Sequence, residues 1–269
     1  MIFLPIALGV ICAVAVNGLA DNLIREENVP LSEILIPRCS YCDAKRKVPD
    51  WSAVFSNLFL SGKCLRCGAP RAFRDLIVEA VLWIGMPAIW LAGRSGAREL
   101  LLGGFLLSAF LLFTVIDFEH RYVLGEAVGL VSLVVIVDGA LLGADSLGRV
   151  LLGGLAGFLV FLVLFFLGKL LARLFRIGQG AEPLGFGDVI LAALVGFATG
   201  WPSILLAVFL SIFLGGAAGL ILLSLSFLKG KLPVHATMAY GPYLLLAGLI
   251  VFFYGGRFLQ GILDLIVLF

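Results

Sequence analysis

RELLLGGFLLSAFLLFTVIDFEHR, residues 98–121, is the stretch from which the fold is read. From Leu100 to Ile116 it carries no charge, and charge returns at both ends, with Arg98 and Glu99 before it and Asp117, Glu119 and Arg121 after it. A helix needs about 20 apolar residues, at ~1.5 Å each, to cross a hydrocarbon core of ~30 Å. Residues 99–117 fit that length. Similar runs at 2–20, 76–93, 122–143, 149–171, 188–206, 207–227 and 237–256 predict an all-α polytopic membrane protein of about eight transmembrane helices. The sixth and seventh are divided only by a turn near Gly200-Trp201-Pro202. Residues 2–20 lack the basic start of a secretory signal, so they are read as a retained first span.

Composition agrees. Hydrophobic residues make up 62% of the 269 and charged residues 13%, against about 25% charged in soluble domains. A net charge of +2 gives no footprint for nucleic acid. Membrane lipid is the solvent. Fifteen of the 19 Lys and Arg fall in segment 21–75 or near 118–121, 169–183 and 228–236. Arg94, Arg98, Arg149 and Arg257 fall on the other side. The positive-inside rule therefore puts segment 21–75 in the cytoplasm. The chain divides into a first helix at 1–20, a small cytoplasmic module at 21–75 and a helical core at 76–269. Gly103-Gly104, Gly153-xxx-Gly157 and Gly215-xxx-Gly219 are read as close helix contacts.

The module is too short for a self-sufficient core and needs a staple. Cys39-Ser-Tyr-Cys42 and Cys64-Leu-Arg-Cys67 supply one. Four thiolates in two CxxC pairs suit a tetrahedral, structural zinc, and a reducing cytoplasm disfavours disulfides. Redox cysteines or plain reduced thiols are the alternatives. Cys12, alone in the first span, is a small apolar residue.

Acids at membrane depth are costly and point to function. Asp117 closes one apolar helix, and Asp188 opens another in Gly185-Phe186-Gly187-Asp188. Two carboxyls meeting at one depth can share a proton and activate a water, as in aspartic proteases. Gly185 and Gly187 leave room for a substrate strand beside Asp188. A helix-start turn capped by Asp is the plainer alternative. Asp188 sits at a helix N-terminus, which favours the anion, and Asp117 at a C-terminus, which does not. Asp188 is therefore expected to be ionised and Asp117 protonated. A transporter binding ions or protons through the same acids is the competing function.

Several landmarks together resemble the type IV prepilin peptidase family (prepilin leader peptidase/N-methyltransferase), which are GxGD-type membrane aspartic proteases. They are Asn17-Gly-Leu-Ala-Asp21, the two CxxC pairs, Arg74 with Glu79, Ile116-Asp117-Phe-Glu-His-Arg121, Glu182-Pro-Leu-Gly-Phe-Gly-Asp188 and Ala239-Tyr-Gly-Pro-Tyr243. The resemblance implies a bacterial inner-membrane endopeptidase that removes the leader of type IV prepilins or pseudopilins at the cytoplasmic face, with Asp117 and Asp188 catalytic. It also implies methylation of the new N-terminus from S-adenosylmethionine. Three positions depart from the pattern: Leu124-Gly125 replaces the family's Pro-Asp, Ile190 its Lys, and the Gly-Ser-Phe before Asn17 is absent.

Overall fold

The computed structural model describes residues 3–24, 30, 33–60, 62–91, 96–174, 185–228 and 239–267, with side chains as far as Gly255. Residues 182–184 of the second motif, His235 and the Asp264 side chain lie outside the described residues. Among the described residues the regular elements are helices: α1 (Phe3–Asn22), a 3-10 turn (Val48–Asp50), α2 (Ala53–Phe59), α3 (Phe73–Leu91), α4 (Ala97–His120), α5 (Gly125–Leu141), α6 (Ala144–Leu174), α7 (Phe186–Thr199), α8 (Ser203–Leu228) and α9 (Gly241–Val267).

The expected eight transmembrane helices are corrected. Among the described residues four helices are long and apolar enough to cross a membrane: α1, α4, α6 and α8. The others fail for physical reasons. α3 carries Arg74, Asp75 and Glu79 in its first two turns. α5 has 17 residues and α7 has 14, lengths of roughly 26 and 21 Å at ~1.5 Å per residue. α7 stops at Thr199 because Gly200 takes φ +69, and α8 begins at Ser203 rather than at 207. The described apolar part of α9 is Gly241–Gly255. Leu133, Leu155, Val163, Phe209, Phe213 and Leu220 stand exposed on α5, α6 and α8. A contiguous apolar exterior of this kind belongs against lipid tails.

The chain divides into two compact units, Met1–Val115 and Ile116–Phe269. In the first, α1 packs on α3 so closely that a Cβ at Gly9 would come within 2.8 Å of the Leu82 carbonyl. The irregular chain after α1 is tied to that helix. Asn22 Nδ2 donates to the carbonyls of Ile34 (3.1 Å) and Ile36 (3.0 Å), and the Arg38 N–H donates to Asp21 (2.9 Å). In the second unit α6 and α7 approach without side chains between them. A Cβ at Gly153 would overlap the Gly196 carbonyl, and one at Gly157 would overlap the Ala192 carbonyl. This contact carries α7, and with it Asp188, on the glycine face of α6.

Candidate active site and metal centre

Asp117 lies in the last turn of α4, which ends at His120 because the chain turns there: Arg121, four residues after Asp117, adopts φ 51. The Asp117 residue is 7% exposed, and its Oδ2 is buried with no hydrogen-bond partner among the described residues. Asp188 occupies the first turn of α7, where its carboxylate accepts the Gly185 N–H at 3.3 Å. Its position favours the anion through the helix dipole as well. Both acids lie in the second unit, near enough for the Asp117 carboxyl to act electrostatically on Asp188. Two contacts hold them together. Gly187 rests on Val123, where a Cβ would come within 2.6 Å of a Val123 methyl. Gly241, first residue of α9, is pressed on the Asp117 carboxylate, and its missing Cβ would lie 3.0 Å from Leu191 of α7. A wall of bare backbone thus backs one acid and touches the helix that bears the other.

Tyr240 fixes that wall. Its hydroxyl lies 2.8 Å from Ser211 Oγ, which also donates to the Val208 carbonyl at 2.8 Å, so the Tyr240 O–H is the donor between them. The ring packs on Phe161 of α6 (5.8 Å between centroids) and against Gly215 of α8. Sequence reasoning had quoted Tyr240 and Gly241 without a role and passed over Ser211. Ser211 is one of four serines in α8, and nothing in the sequence sets it apart from Ser203, Ser224 and Ser226. Of the paired glycines, Gly153 and Gly157 make the expected helix contact, as does Gly215. Gly219 has nothing near it. Gly185 is exposed and open, whereas Gly187 is accounted for by Val123. His120 is exposed beside Glu119. Leu124 and Gly125, in place of the resembled Pro-Asp, start α5 with no side-chain cap, and Glu126 is exposed.

The four cysteines of the first unit converge. Their sulfurs all lie within 4.8 Å of one another, with Cys39 to Cys67 at 3.8 Å and Cys42 to Cys64 at 3.7 Å. Thiolates held ~2.3 Å from a tetrahedral ion stand about 3.8 Å apart, so the donor set fits a metal. The two halves repeat one geometry. Asp43 N–H donates to the Cys39 carbonyl and Gly68 N–H to the Cys64 carbonyl, and both residues take positive φ (60 and 72). Isolated bridges Arg38 to Lys45 and Lys63 to Pro70 close the two loops at matching positions. Backbone N–H groups of Cys67 and Arg66 hold the Cys64 thiol down at about 6, which favours the ligating thiolate.

Beneath the cysteines runs a buried ionic chain that the sequence reading did not foresee. Asp50 pairs with Arg46 (2.8 Å) and Arg71, Arg71 with Asp75 (2.9 Å), and Asp75 with Arg74, which also pairs with Asp21. Two i,i+4 pairs, Arg46 with Asp50 and Arg71 with Asp75, were the readable trace. Glu79 is 0% exposed. Its carboxylate accepts Ser52 Oγ (2.8 Å) and the N–H groups of Ala53 and Val54, and so caps α2.

Residues 8–92 match the Bacterial Peptidase A24 N-terminal domain, and residues 104–220 match the Type IV leader peptidase family. Similar proteins include the prepilin leader peptidase/N-methyltransferase of Aeromonas hydrophila, 30% identical over 235 residues that span 84% of this chain and 74% of the relative. Those of Stutzerimonas stutzeri (30%, spanning 82% and 72%) and Pseudomonas aeruginosa (30%, spanning 86% and 74%) are comparably similar. No solved structure matches. The chain belongs to the type IV leader peptidase family of membrane aspartic proteases and is a multi-pass protein of the bacterial inner membrane.

Proposed function

We propose that this chain is an endopeptidase that removes the leader peptide of a type IV prepilin or pseudopilin at the cytoplasmic face, with Asp117 and Asp188 as its catalytic pair. What supports the reading is that two acids from distant stretches of chain, one in the last turn of α4 and one in the first turn of α7, lie in one compact unit near enough to influence each other, with Gly241 set between the Asp117 carboxylate and Leu191 of α7. In the reaction the ionised acid takes a proton from water as the water attacks the scissile carbonyl. The protonated acid gives its proton to the carbonyl oxygen. Collapse of the resulting gem-diol then expels the new amine, which takes the proton from the acid that received it from water, while one hydroxyl of the gem-diol returns its proton to the other acid and restores the pair. Asp188, with its Gly185 N–H and helix N-terminus, is assigned the charge, and Asp117 the proton. Exposed Gly185 is the better candidate of the two glycines for positioning substrate, since Gly187 is packed on Val123.

The four cysteines are proposed to hold a structural zinc. With all four positions taken by sulfur, such an ion has no open site for catalysis, and its contribution is the fold of the module. The relatives are named as prepilin leader peptidase/N-methyltransferases, which couples the peptidase to a second activity in those proteins. Methylation of the new N-terminus from S-adenosylmethionine is carried as a second activity on that ground. No described residues are assigned to that donor, and no step above runs through it.

Co-expression with a prepilin, followed by intact-mass analysis, tests both activities. The wild type is expected to give the shortened product, and Asp117→Asn or Asp188→Asn the full-length precursor, each variant remaining membrane-inserted. Cleavage by either variant would refute the dyad. A transporter or an inert scaffold would leave the precursor uncut by the wild type. An added methyl mass on the product reports the second activity.

A further inference from the structure

A cleft of ≈ 320 Å³ opens beside the cysteine cluster, lined by Lys45, Arg46, Lys47, Asp50, Cys64 and Arg66 among others. That size falls at the lower end of small-ligand sites, about 300–1,000 Å³. Four cations and one carboxylate face it, and the carboxylate is already engaged. Asp50 receives Arg46 at 2.8 Å and lies 3.7 Å from Arg71. Lys45 pairs with Glu33 at 2.6 Å. Lys47 and Arg66 have no acidic partner among the described residues, and the negative charge nearest them is that of the thiolate cluster, which Cys64 brings into the lining. Its floor contains a second indication. Arg46 is 7% exposed, and its Nε is buried with no hydrogen-bond partner among the described residues. A buried guanidinium N–H left unsatisfied is costly, and an acceptor in the cleft would reach this covered atom only through a shift of the lining. Arg46 is held in place for such a contact by Asp50 and by the Trp51 Nε1–H, which donates to the Arg46 carbonyl at 3.0 Å.

We propose that this cleft binds a phosphate-class anion, either the phosphodiester headgroup of an anionic phospholipid or free phosphate. Guanidinium and ammonium groups arranged around one cavity are the usual complement of phosphate oxygens. The module is stapled to the end of apolar α1 through Asp21 and Asn22, which keeps it near the headgroups of the leaflet it adjoins. Basic residues at that depth attract anionic lipid at roughly 1 kcal/mol each, about fivefold in affinity per charge.

The test uses the full-length protein, delipidated in neutral detergent and titrated with phosphatidylglycerol or phosphatidylcholine under native mass spectrometry, with zinc content read in the same spectra. The wild type is expected to retain phosphatidylglycerol in preference to phosphatidylcholine. Lys47→Gln with Arg66→Gln is expected to weaken that retention about 25-fold while zinc stays bound. Lys63→Gln, in the same module but outside the cleft, is expected to leave it unchanged. Inorganic phosphate as the second probe separates the sources: displacement of the lipid by millimolar phosphate assigns the site to free phosphate, and persistence of the lipid assigns it to the headgroup. The proposal is overturned if the double variant retains the lipid as the wild type does, or if Lys63→Gln weakens retention as much. It is also overturned if the double variant loses zinc with lipid retention unchanged, because the cations would then serve only to balance the thiolates.

Discussion

Gly241 is the residue on which the geometry of the proposed dyad turns. It has no side chain, the Asp117 carboxylate occupies the space a Cβ would take, and Leu191, one turn along α7 from Asp188, sits on the other side. Gly241→Ala must therefore displace an acid, a helix or both. Misplacement of a reacting group by about 1 Å costs on the order of 100-fold in rate. Loss of that order in prepilin cleavage is expected from Gly241→Ala, with the protein still inserted and the four-cysteine module still folded. Unchanged cleavage would mean that the Asp117 carboxylate does not need that wall. The sequence carried Gly241 only as half of a Gly-Pro pair. Its importance depends on which carboxyl lies against it, and a linear string does not contain that fact.

At the scale of elements, the contact between α6 and α7 determines where Asp188 stands. Gly157→Leu would drive a branched side chain into the Ala192 carbonyl, whereas Gly219→Leu meets open space on α8. Overpacking a tight contact typically costs about 1–3 kcal/mol. Gly157→Leu is expected to lower the thermal midpoint in detergent by several degrees and to reduce cleavage, while Gly219→Leu changes neither. Equal behaviour of the two would sink the reading of α6 and α7 as a backbone contact. Both glycines belonged to small-xxx-small patterns of equal standing in the sequence, and only the structure separates them. The cysteine module was more legible, because four sulfurs in two CxxC pairs constrain the chain by themselves. A strong chelator, or Cys64→Ser, is expected to release the metal and make segment 33–72 sensitive to protease, with α6, α7 and α8 unaffected. Resistance of that segment after metal loss would show that Glu79, Arg71 and Asp50 hold it unaided. Those ionic contacts were nearly invisible beforehand, since charged residues in a short loop are ordinarily solvated and nothing in their order marks burial. Helix number was misread for a related reason. Apolar composition locates a helix, but α3 brings Arg74, Asp75 and Glu79 into its apolar run to hold the module, and α5 and α7 end after 17 and 14 residues.

For the whole molecule the strongest constraint is the asymmetry of charge. Nine of the 19 Lys and Arg fall in the single segment 21–75, and that count does not depend on how many helices cross. α1 is apolar and 20 residues long, with Asp21 and Asn22 at its C-terminal end tied to the chain that leads into the cysteines. Whichever leaflet receives that end also receives the module, and translocating nine cations against the positive-inside bias is disfavoured. Four clustered thiols that fit a metal also suit a reducing compartment. Leu58, 71% exposed on α2, offers a site where a new thiol would be open to solvent. In intact spheroplasts a membrane-impermeant maleimide is expected to leave Leu58→Cys unlabelled and to label it once the membrane is permeabilised. Labelling before permeabilisation would put the module outside. The proposed substrate leader would then have to be cut on the other face, and the anion cleft would meet the other leaflet.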